Sequence, residues 1–323
     1  MSGEVWVVVE ALRSDVSEIS YTMLAAGRVL ATGLKSRLSA LLIGHPLEKL
    51  AGTLGAADLV LGIEHPTLAE FNPEAYLRAA TAAIEAHAPR VVLFGHTAIG
   101  TDLASGVAHR LHLPVVTSCR SFRFDGGEPQ FSSLTCGGKI TATGALPAPS
   151  CVVTVMPGGY KADEGRVSQA PPLEILPLPA GLETVRTSFN EFIEPPAGDV
   201  DIAKQEILVS VGRGIQNKDN IALVEALAKS LGGVVCGSRP VIDQGWLPIT
   251  RLVGKSGKQV KPKLYLAVGI SGAPEHLEGV SEADTMIAVN TDGKAPIFDV
   301  AHFGTTCNAL ELLPILTEKL RSP

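Results

Sequence analysis

Long apolar runs are missing from this sequence, and so is any excess of basic residues. A membrane-spanning helix needs about 18 or more consecutive apolar residues, and no such run occurs, so we expect no membrane insertion. The formal net charge of −6 has the wrong sign for general binding of DNA or RNA, and we expect no nucleic-acid partner. Aromatic residues make up only 5% of the chain, so its cores must be largely aliphatic.

Cysteine is also scarce. The five cysteines are an odd number without a C-x-x-C pair, which suits neither a disulfide framework nor a zinc site. We therefore expect no metal and a reducing compartment. The first residues enter a strand-like run directly and lack the features of a signal peptide. We expect a cytoplasmic protein, or one of the mitochondrial matrix if a presequence has been removed.

The sequence does contain a regular alternation of short apolar segments with helical ones. Apolar segments at 5–9, 41–43 and 91–94 read as strands, and segments such as 19–30 and 73–87 read as helices. Short, fully apolar strands separated by helices are typical of a parallel sheet that is covered on both faces. The pattern therefore predicts an α/β fold.

The alternation changes twice along the chain. Between about 120 and 160 the helical pattern stops, and glycine, threonine and valine predict late, partly antiparallel strands. Residues 171–204 are rich in proline, and we interpret them as an extended connector. A second alternation follows, with a helix predicted at 221–231. We thus predict an amino-terminal domain over 1–170, the connector, and a second α/β domain over 205–323.

A glycine-rich turn opens the second domain. Gly212, Arg213 and Gly214 follow a predicted strand and precede a helix, a place that suits a phosphate. A dinucleotide fingerprint requires a third glycine at the position of Asn217. The motif is therefore incomplete, and an ordinary tight turn is an equal alternative.

A basic stretch follows in the same domain. No Asp or Glu occurs between Asp243 and Glu275, whereas five basic residues do: Arg251, Lys255, Lys258, Lys261 and Lys263. The sequence Gly-Lys-Ser at 254–256 is not the end of a Walker loop, because Ile249 stands where that loop requires glycine. A solvated loop is the ordinary explanation of the stretch, and a site for an anionic ligand is the functional one.

Polar residues also follow several predicted strands of the second domain. Each has an ordinary alternative, since Ser238 can cap a helix, His276 can be a surface histidine and Asn290 can belong to a turn. The ends of parallel strands meet at one edge of a sheet, and open α/β sheets bind ligands there. Taken together, these residues predict a nucleotide cleft.

The longest signal is a run of sequence rather than a single motif. CGSRPVIDQGWLP, VGKSGKQVKPKLYLAVGISGAPEHLEG and IAVNTDGKAPIFDVAHFG closely resemble the alpha subunit of electron transfer flavoproteins. The resemblance is dense over about 207–323 and weaker but collinear over 1–200. It implies a Rossmann-like (adenine-nucleotide-hydrolase-like) parallel-sheet domain without a nucleotide, followed by an FAD-binding parallel α/β domain.

The resemblance also implies a function. Members of this family form an obligate heterodimer with an electron transfer flavoprotein beta subunit, and their FAD carries electrons from flavoprotein dehydrogenases to an acceptor such as a quinone oxidoreductase. Acyl-CoA dehydrogenases of fatty acid beta-oxidation are donors of this kind. We expect an electron carrier rather than an enzyme with its own reaction, with flavin-based NADH oxidation or bifurcation left open. The alternatives are an NAD(P)-dependent dehydrogenase or transhydrogenase-like enzyme on a similar fold, and a non-redox interaction subunit.

Carried over position by position, the resemblance implies sixteen cofactor-binding residues. They are Arg213 by the pyrophosphate, Ser238 and Arg239 by the flavin, Val253, Gly254, Lys255 and Ser256 along its ring, Ser271, Gly272, Ala273, Pro274, Glu275 and His276 around the phosphates and the flavin edge, Asn290 by the ribityl chain, and Asn308 and Ala309 by the adenine. Of these, Arg239 and His276 are implied to stabilise negative charge on the flavin. Many members have Gln at position 255, Thr at 256 and Asp at 308.

Overall fold

The computed structural model describes residues 3–136, 138–192 and 200–321 of the 323-residue chain. The chain divides into two compact units, Met1–Glu191 and Phe192–Pro323. Each unit is built on its own sheet with helices packed against it. The α/β fold class predicted from the alternation is therefore confirmed.

The elements of the first unit follow the predicted alternation. In chain order they are β1 (Val5–Val8), β2 (Ala11–Leu12), β3 (Asp15–Val16), α1 (Glu18–Leu34), β4 (Leu38–Gly44), α2 (Glu48–Ala51), β5 (Leu59–Glu64), α3 (Pro73–His87), β6 (Val91–Gly95), α4 (Ala98–Leu111), β7 (Val115–Asp125), β8 (Glu128–Thr135), β9 (Ile140–Ala145), β10 (Cys151–Val155) and β11 (Leu173–Ile175). Nine of these strands form one sheet in the order β11-β5-β4-β1-β6-β10-β7-β8-β9.

Most of this sheet is parallel, and one end of it is antiparallel. All pairs from β11 to β7 are parallel, whereas β7, β8 and β9 form an antiparallel meander. We predicted β10 among the partly antiparallel late strands, but it is parallel to both neighbours. The reason is topological, because the chain returns from β9 and inserts β10 between β6 and β7.

The first sheet is covered on both faces. Val5 and Val7 of β1 point into the cluster that contains α1, and Trp6 and Val8 point into the cluster that contains α3 and α4. Successive side chains of a strand face opposite sides, so a strand buried on both faces must be apolar throughout. This explains why the strands of this unit appear as uninterrupted apolar runs.

The segment predicted as a connector differs in part from that expectation. Leu173–Ile175 forms the edge strand β11, parallel to β5, and both Leu176 and Leu182 are buried in the core of the first unit. Its residues 193–199 lie outside the described residues. The boundaries at 170 and 205 stay predictions about where independently folding domains end and begin.

The second unit holds a five-stranded, fully parallel sheet in the order β13-β12-β14-β15-β16. Its elements are β12 (Ile207–Val211), α5 (Ile221–Leu231), β13 (Val234–Gly237), α6 (Arg239–Asp243), β14 (Leu264–Val268), α7 (Pro274–Glu278), β15 (Thr285–Val289), β16 (Phe303–Thr305) and α8 (Ala309–Arg321). The chain leaves β12 for β13 on one side and then crosses to β14 on the other. A crevice therefore opens between the carboxyl ends of β12 and β14, where such sheets bind ligands.

The two faces of this sheet are covered differently. Val224 and Leu227 of α5 pack with Leu313 of α8 on one face. On the other face the cluster is closed by residues of loops and short helices, such as Val253 and Ile297. Among the helices of the described ranges, none combines the length and the apolar character that a membrane crossing requires.

Candidate functional site

A cavity of about 660 Å³ lies in the second unit, at the carboxyl edge of its sheet. It is lined by residues that follow four neighbouring strands, β12, β13, β14 and β15, and by the loop that precedes β14. Twelve of the sixteen predicted site residues line it: Arg213, Ser238, Arg239, Val253, Gly254, Lys255, Ser256, Ser271, Ala273, Glu275, His276 and Asn290. Residues that are up to 77 positions apart in sequence (213 and 290) are thus brought to one cavity.

The glycine turn after β12 is packed against the turn after β14. A Cβ added to Gly212 would lie 2.2 Å from the carbonyl oxygen of Gly269, and one added to Gly214 would lie 2.7 Å from the Gly269 Cα. The Gly214 N–H donates to the same carbonyl at 3.0 Å. The two glycines are therefore required by close backbone packing, which is the ordinary explanation of the motif. Arg213, between them, remains exposed and lines the cavity.

Arg239 links two segments of the cavity wall. Its Nε donates to Asp243, one turn further along α6, at 2.6 Å, and its Nη1 lies 3.3 Å from the Ser256 hydroxyl oxygen. Ser238 occupies the N-cap position of α6 without a capping hydrogen bond from its side chain, and that side chain is buried. The cap predicted as the ordinary alternative for Ser238 is therefore not formed.

The basic stretch separates into residues of two kinds. Lys258, Lys261 and Lys263 are held in ion pairs, with Asp201 at 2.6 Å, Glu282 at 2.8 Å and Glu206 at 2.8 Å, respectively. Lys255 lines the cavity, where its Nζ lies 3.5 Å from Glu278. Arg251 donates to the carbonyl oxygen of Val235 at 2.9 Å. Three residues of the stretch are thus ion-paired away from the cavity, and Lys255 is the one that lines it.

The loop that carries Lys255 is fixed by close contact with α7. The Lys255 N–H donates to the carbonyl oxygen of Glu275 at 2.7 Å. Gly254 has a φ of +141°, and a Cβ there would lie 2.8 Å from that same carbonyl oxygen. A Cβ on Gly279 would lie 2.4 Å from the Gly254 nitrogen. Glycine is required at both positions because no side chain fits between the loop and the helix.

His276 is buried, and both of its ring nitrogens are engaged. Its Nδ1 lies 3.2 Å from the carbonyl oxygen of Val253, and its Nε2 lies 2.8 Å from the hydroxyl of Tyr265. Burial lowers the pKa of His276 to about 4, so the ring is neutral near pH 7. Near pH 7 the positive charges at the cavity are those of Arg213, Arg239 and Lys255, and stabilisation of negative charge on the flavin by His276 stays a prediction.

Four predicted site residues do not line the cavity. Gly272 has a φ of +88° and lies against the backbone of Ile297, and Pro274 stands in the first turn of α7. Asn308 accepts a hydrogen bond from the Leu310 N–H at 3.1 Å, as a residue at the start of a helix does. Its neighbour Ala309 is buried at the beginning of α8. The adenine contacts of this last pair stay predictions.

Asn290 lines the cavity and also forms hydrogen bonds that connect two segments at the edge of the sheet. Its Nδ2 donates to the carbonyl oxygen of Ile270 at 2.8 Å, and its Oδ1 accepts from the Asp292 N–H at 2.9 Å. The side chain thus links the end of β15 to the turn after β14. This supports the turn role that was the ordinary alternative, and the residue lines the cavity as well.

Sequence reasoning missed the residues that hold the predicted ones in place. Asp243 and Glu278 pair with Arg239 and Lys255, and the fully buried Tyr265 contacts His276. The spacing of four between 239 and 243 was a usable signal, since it places the two side chains on one helix face. Tyr265 offered a weaker signal, because in the sequence it is one residue with a hydroxyl group within an otherwise apolar strand.

The first unit offers a much smaller space at the corresponding edge of its sheet. Residues after β1 and β6 line a volume of about 10 Å³, among them Glu10 and the start of α4. This is room for about one water molecule. Of these two spaces, the one in the second unit is the one with room for a nucleotide.

Comparison with known proteins shows which family the chain matches. The family model "Electron transfer flavoprotein domain" matches residues 5–180, and the model "Electron transfer flavoprotein FAD-binding domain" matches residues 201–281. The second match covers most of the strand ends and loops that line the cavity.

Similar proteins extend the match to nearly the whole chain. The chain is 34% identical to the acryloyl-CoA reductase electron transfer subunit beta of Anaerotignum propionicum, a match that covers 98% of this chain and 95% of that protein. It is 36% identical to the protein FixB of Azotobacter vinelandii, a match that covers 98% of this chain and 91% of that protein. It is 32% identical to the electron transfer flavoprotein subunit alpha of Thermoanaerobacterium thermosaccharolyticum, covering 98% of each.

Proposed function

The chain belongs to the electron transfer flavoprotein alpha subunit and FixB family, and from this membership we propose that it binds FAD in the second unit and carries electrons. The observation that carries the proposal is the cavity of about 660 Å³, formed by four parallel strand ends and bordered by three basic side chains. Cofactor sites commonly have volumes of about 300–1,000 Å³.

The residues of the cavity suit FAD chemically. The pyrophosphate of FAD is anionic, and Arg213 is an exposed guanidinium beside the packed glycine turn. The turn formed by Ser271, Gly272 and Ala273 has no large side chain, so a ligand can approach the backbone. Apolar residues such as Leu252 and Ile270 also line the wall and suit a planar ring.

Two cations of the cavity wall and their acidic partners have definite tasks in this proposal. When bound, FAD supplies the chemistry of accepting and donating electrons, and the protein tunes it. Arg239 and Lys255 hold positive charge at the cavity wall, which favours the more negatively charged, reduced cofactor by Coulomb attraction. Asp243 and Glu278 reduce that effect because each pairs with one of the two cations. Ser256 lies within hydrogen-bond reach of Arg239 and presents its hydroxyl to the cavity.

We further propose that the chain works as one half of a heterodimer. Two relatives, at 34% and 32% identity, are named as an electron transfer subunit beta and an electron transfer flavoprotein subunit alpha, and such names imply a second, different subunit. We propose that this partner is an electron transfer flavoprotein beta subunit. Flavoprotein dehydrogenases are the proposed electron donors, and a quinone oxidoreductase or a similar protein is the proposed acceptor. Ile140, 55% exposed on the antiparallel end of the first sheet, is an apolar residue available for such contacts.

The experiment is a visible absorption spectrum of the full chain, purified after co-expression with a beta subunit of this family. A flavin spectrum, with FAD identified chromatographically after denaturation, supports the proposal. Arg213→Ala should weaken FAD retention, whereas Arg110→Ala, which removes an exposed arginine from α4 of the first unit, should not. A colourless complex that stays colourless with added FAD contradicts the proposal. Tight binding of NADH or NADPH without any flavin would favour a dehydrogenase instead.

A further inference from the structure

We propose that Tyr265 is a positioning residue of the cofactor site, acting through His276 on the loop at 253–256. The inference rests on the proposed FAD site and deepens it. Neither Tyr265 nor its hydroxyl lines the cavity, since the side chain is 0% exposed in the middle strand of the second sheet. Its effect on the cofactor must therefore pass through the residues that it holds.

The direction of each hydrogen bond follows from chemistry. A carbonyl oxygen can only accept, so the Nδ1 of His276, 3.2 Å from the Val253 carbonyl oxygen, must carry a proton. A neutral imidazole has one proton only, and its Nε2 is therefore a bare acceptor. The Tyr265 hydroxyl, 2.8 Å away, donates to that nitrogen. Burial lowers the pKa of His276 and raises that of Tyr265, so both groups keep these states near neutral pH.

The chain of hydrogen bonds links the rigid sheet to the cavity wall. Tyr265 belongs to β14, which is hydrogen-bonded to a strand on either side. From this base the chain runs through the His276 ring to the Val253 carbonyl, and Val253 begins the loop that presents Lys255 and Ser256 to the cavity. The hydroxyl of Tyr265 thus fixes both the tautomer and the orientation of a ring that lines the site.

Removing the hydroxyl leaves a specific defect. In Tyr265→Phe the Nε2 of His276 is buried without a donor, and a buried acceptor without a partner is unfavourable. The ring then gains by rotating or by moving its proton to Nε2, and either change breaks its bond to Val253. The loop at 253–256 loses one of its fixed points, so the cavity no longer matches the cofactor as well.

The first test compares two tyrosine variants in the full chain co-expressed with its beta subunit. Tyr76→Phe is the matched control, because Tyr76 is also buried and donates one hydrogen bond to a carbonyl oxygen, that of Leu68, in the first unit. Both variants should lose thermal stability to a similar extent. Tyr265→Phe alone should raise the dissociation constant for FAD by about tenfold and shift the visible absorption maxima of the bound flavin.

The outcomes of this test distinguish the proposed FAD site from the proposed positioning role of Tyr265. Wild-type protein without FAD would contradict the proposed function and leave the hydrogen-bond chain to be tested by the second experiment. Wild-type protein with FAD, together with a folded Tyr265→Phe that keeps the wild-type FAD affinity and absorption maxima, would overturn the positioning role. A Tyr76→Phe variant with the same loss of FAD would also overturn it, because the effect would then be one of general stability.

A second experiment reads the protonation state of His276 from the wild-type protein itself and needs no Tyr265 variant. Nitrogen chemical shifts of ¹⁵N-histidine-labelled wild-type protein distinguish a protonated ring nitrogen from a bare one, and His276→Gln identifies the signals. At pH 7 the His276 ring should show a proton on Nδ1 and none on Nε2. A proton on Nε2, or a doubly protonated ring, would contradict the proposed chain.

Discussion

The guanidinium of Arg239 lies 3.3 Å from the hydroxyl oxygen of Ser256, so a residue after β13 and a residue of the loop before β14 meet across the cavity wall. The same guanidinium pairs with Asp243 at 2.6 Å, and both side chains of that pair are more than half exposed. The Ser256 hydroxyl thus helps to orient the Arg239 guanidinium at the cavity, and the Asp243 carboxylate reduces the effect of its positive charge. This relationship gives the first prediction.

Arg239→Gln should lower the midpoint potential of the bound FAD, and Asp243→Asn should raise it. A positive charge favours the reduced cofactor, and Asp243 counteracts that charge. We expect shifts of a few tens of millivolts, since exposed charges interact by about 1 kcal/mol or less and 1.4 kcal/mol corresponds to about 59 mV for one electron. Potentiometric titration of the co-purified complex measures both. Shifts of the same sign in the two variants would contradict the assignment.

Lys255 and Glu278 form a second pair with opposite expected effects. Lys255→Gln removes the cation from the cavity wall and should lower the FAD potential, whereas Glu278→Gln should raise it. The control is Lys261→Gln, because Lys261 pairs with Glu282 and does not line the cavity. The midpoint potential of FAD in Lys261→Gln should equal that of the wild type within experimental error. An equal shift in the control would mean that net charge, and not the position of Lys255, sets the potential.

Gly254→Ala should abolish tight FAD binding. Its φ of +141° is a backbone conformation that residues other than glycine rarely adopt, and a Cβ would lie 2.8 Å from a backbone oxygen of α7. We expect a loss of about 1–3 kcal/mol in the free energy of unfolding. Gly232→Ala is the control, since Gly232 has a φ of +70° with nothing within 4 Å of the added Cβ. It should cost about 1–2 kcal/mol and leave FAD bound. Retained FAD in Gly254→Ala, measured by absorption after gel filtration, would refute the close packing.

The buried, neutral state of His276 predicts a pH dependence of stability. Its pKa falls from 6.5 to about 4 on folding, so between these values the unfolded chain binds more protons than the folded one. The free energy of unfolding should therefore fall as the pH drops from about 7 to 4, by an amount on the order of 3 kcal/mol for this group, and then level off.

Denaturant unfolding of the full chain at several pH values measures this slope. His276→Gln removes the titrating group, so its free energy of unfolding should depend less steeply on pH over the same range. The remaining slope comes from groups common to both proteins. Parallel curves for the two proteins would show that His276 is not buried in its neutral form.

Local sequence determined the elements of this protein well. The helix at 73–87 was predicted with its observed bounds, and in the structure Asn72 caps its first turn and proline stands at its first position. The helix at 221–231 ends at Gly232, whose left-handed conformation closes the last turn. Capping and apolar periodicity act over a few residues, so the sequence displays them directly. The family resemblance in turn indicated twelve residues that do line the cavity.

Only the tertiary structure decided which of these residues are charged, which form ion pairs and which are fixed by hydrogen bonds. The insertion of β10 between β6 and β7 depends on the order of the strands, which no local pattern contains. The neutral state of His276 depends on burial beside Tyr265 and Val253, eleven and 23 positions away. Lys258 and Lys255 look alike in the sequence, yet one is paired with Asp201 outside the cavity and the other lines it. Electrostatic and desolvation energies depend on distance in space, and distance in space is set by the packing of segments that are far apart in the chain.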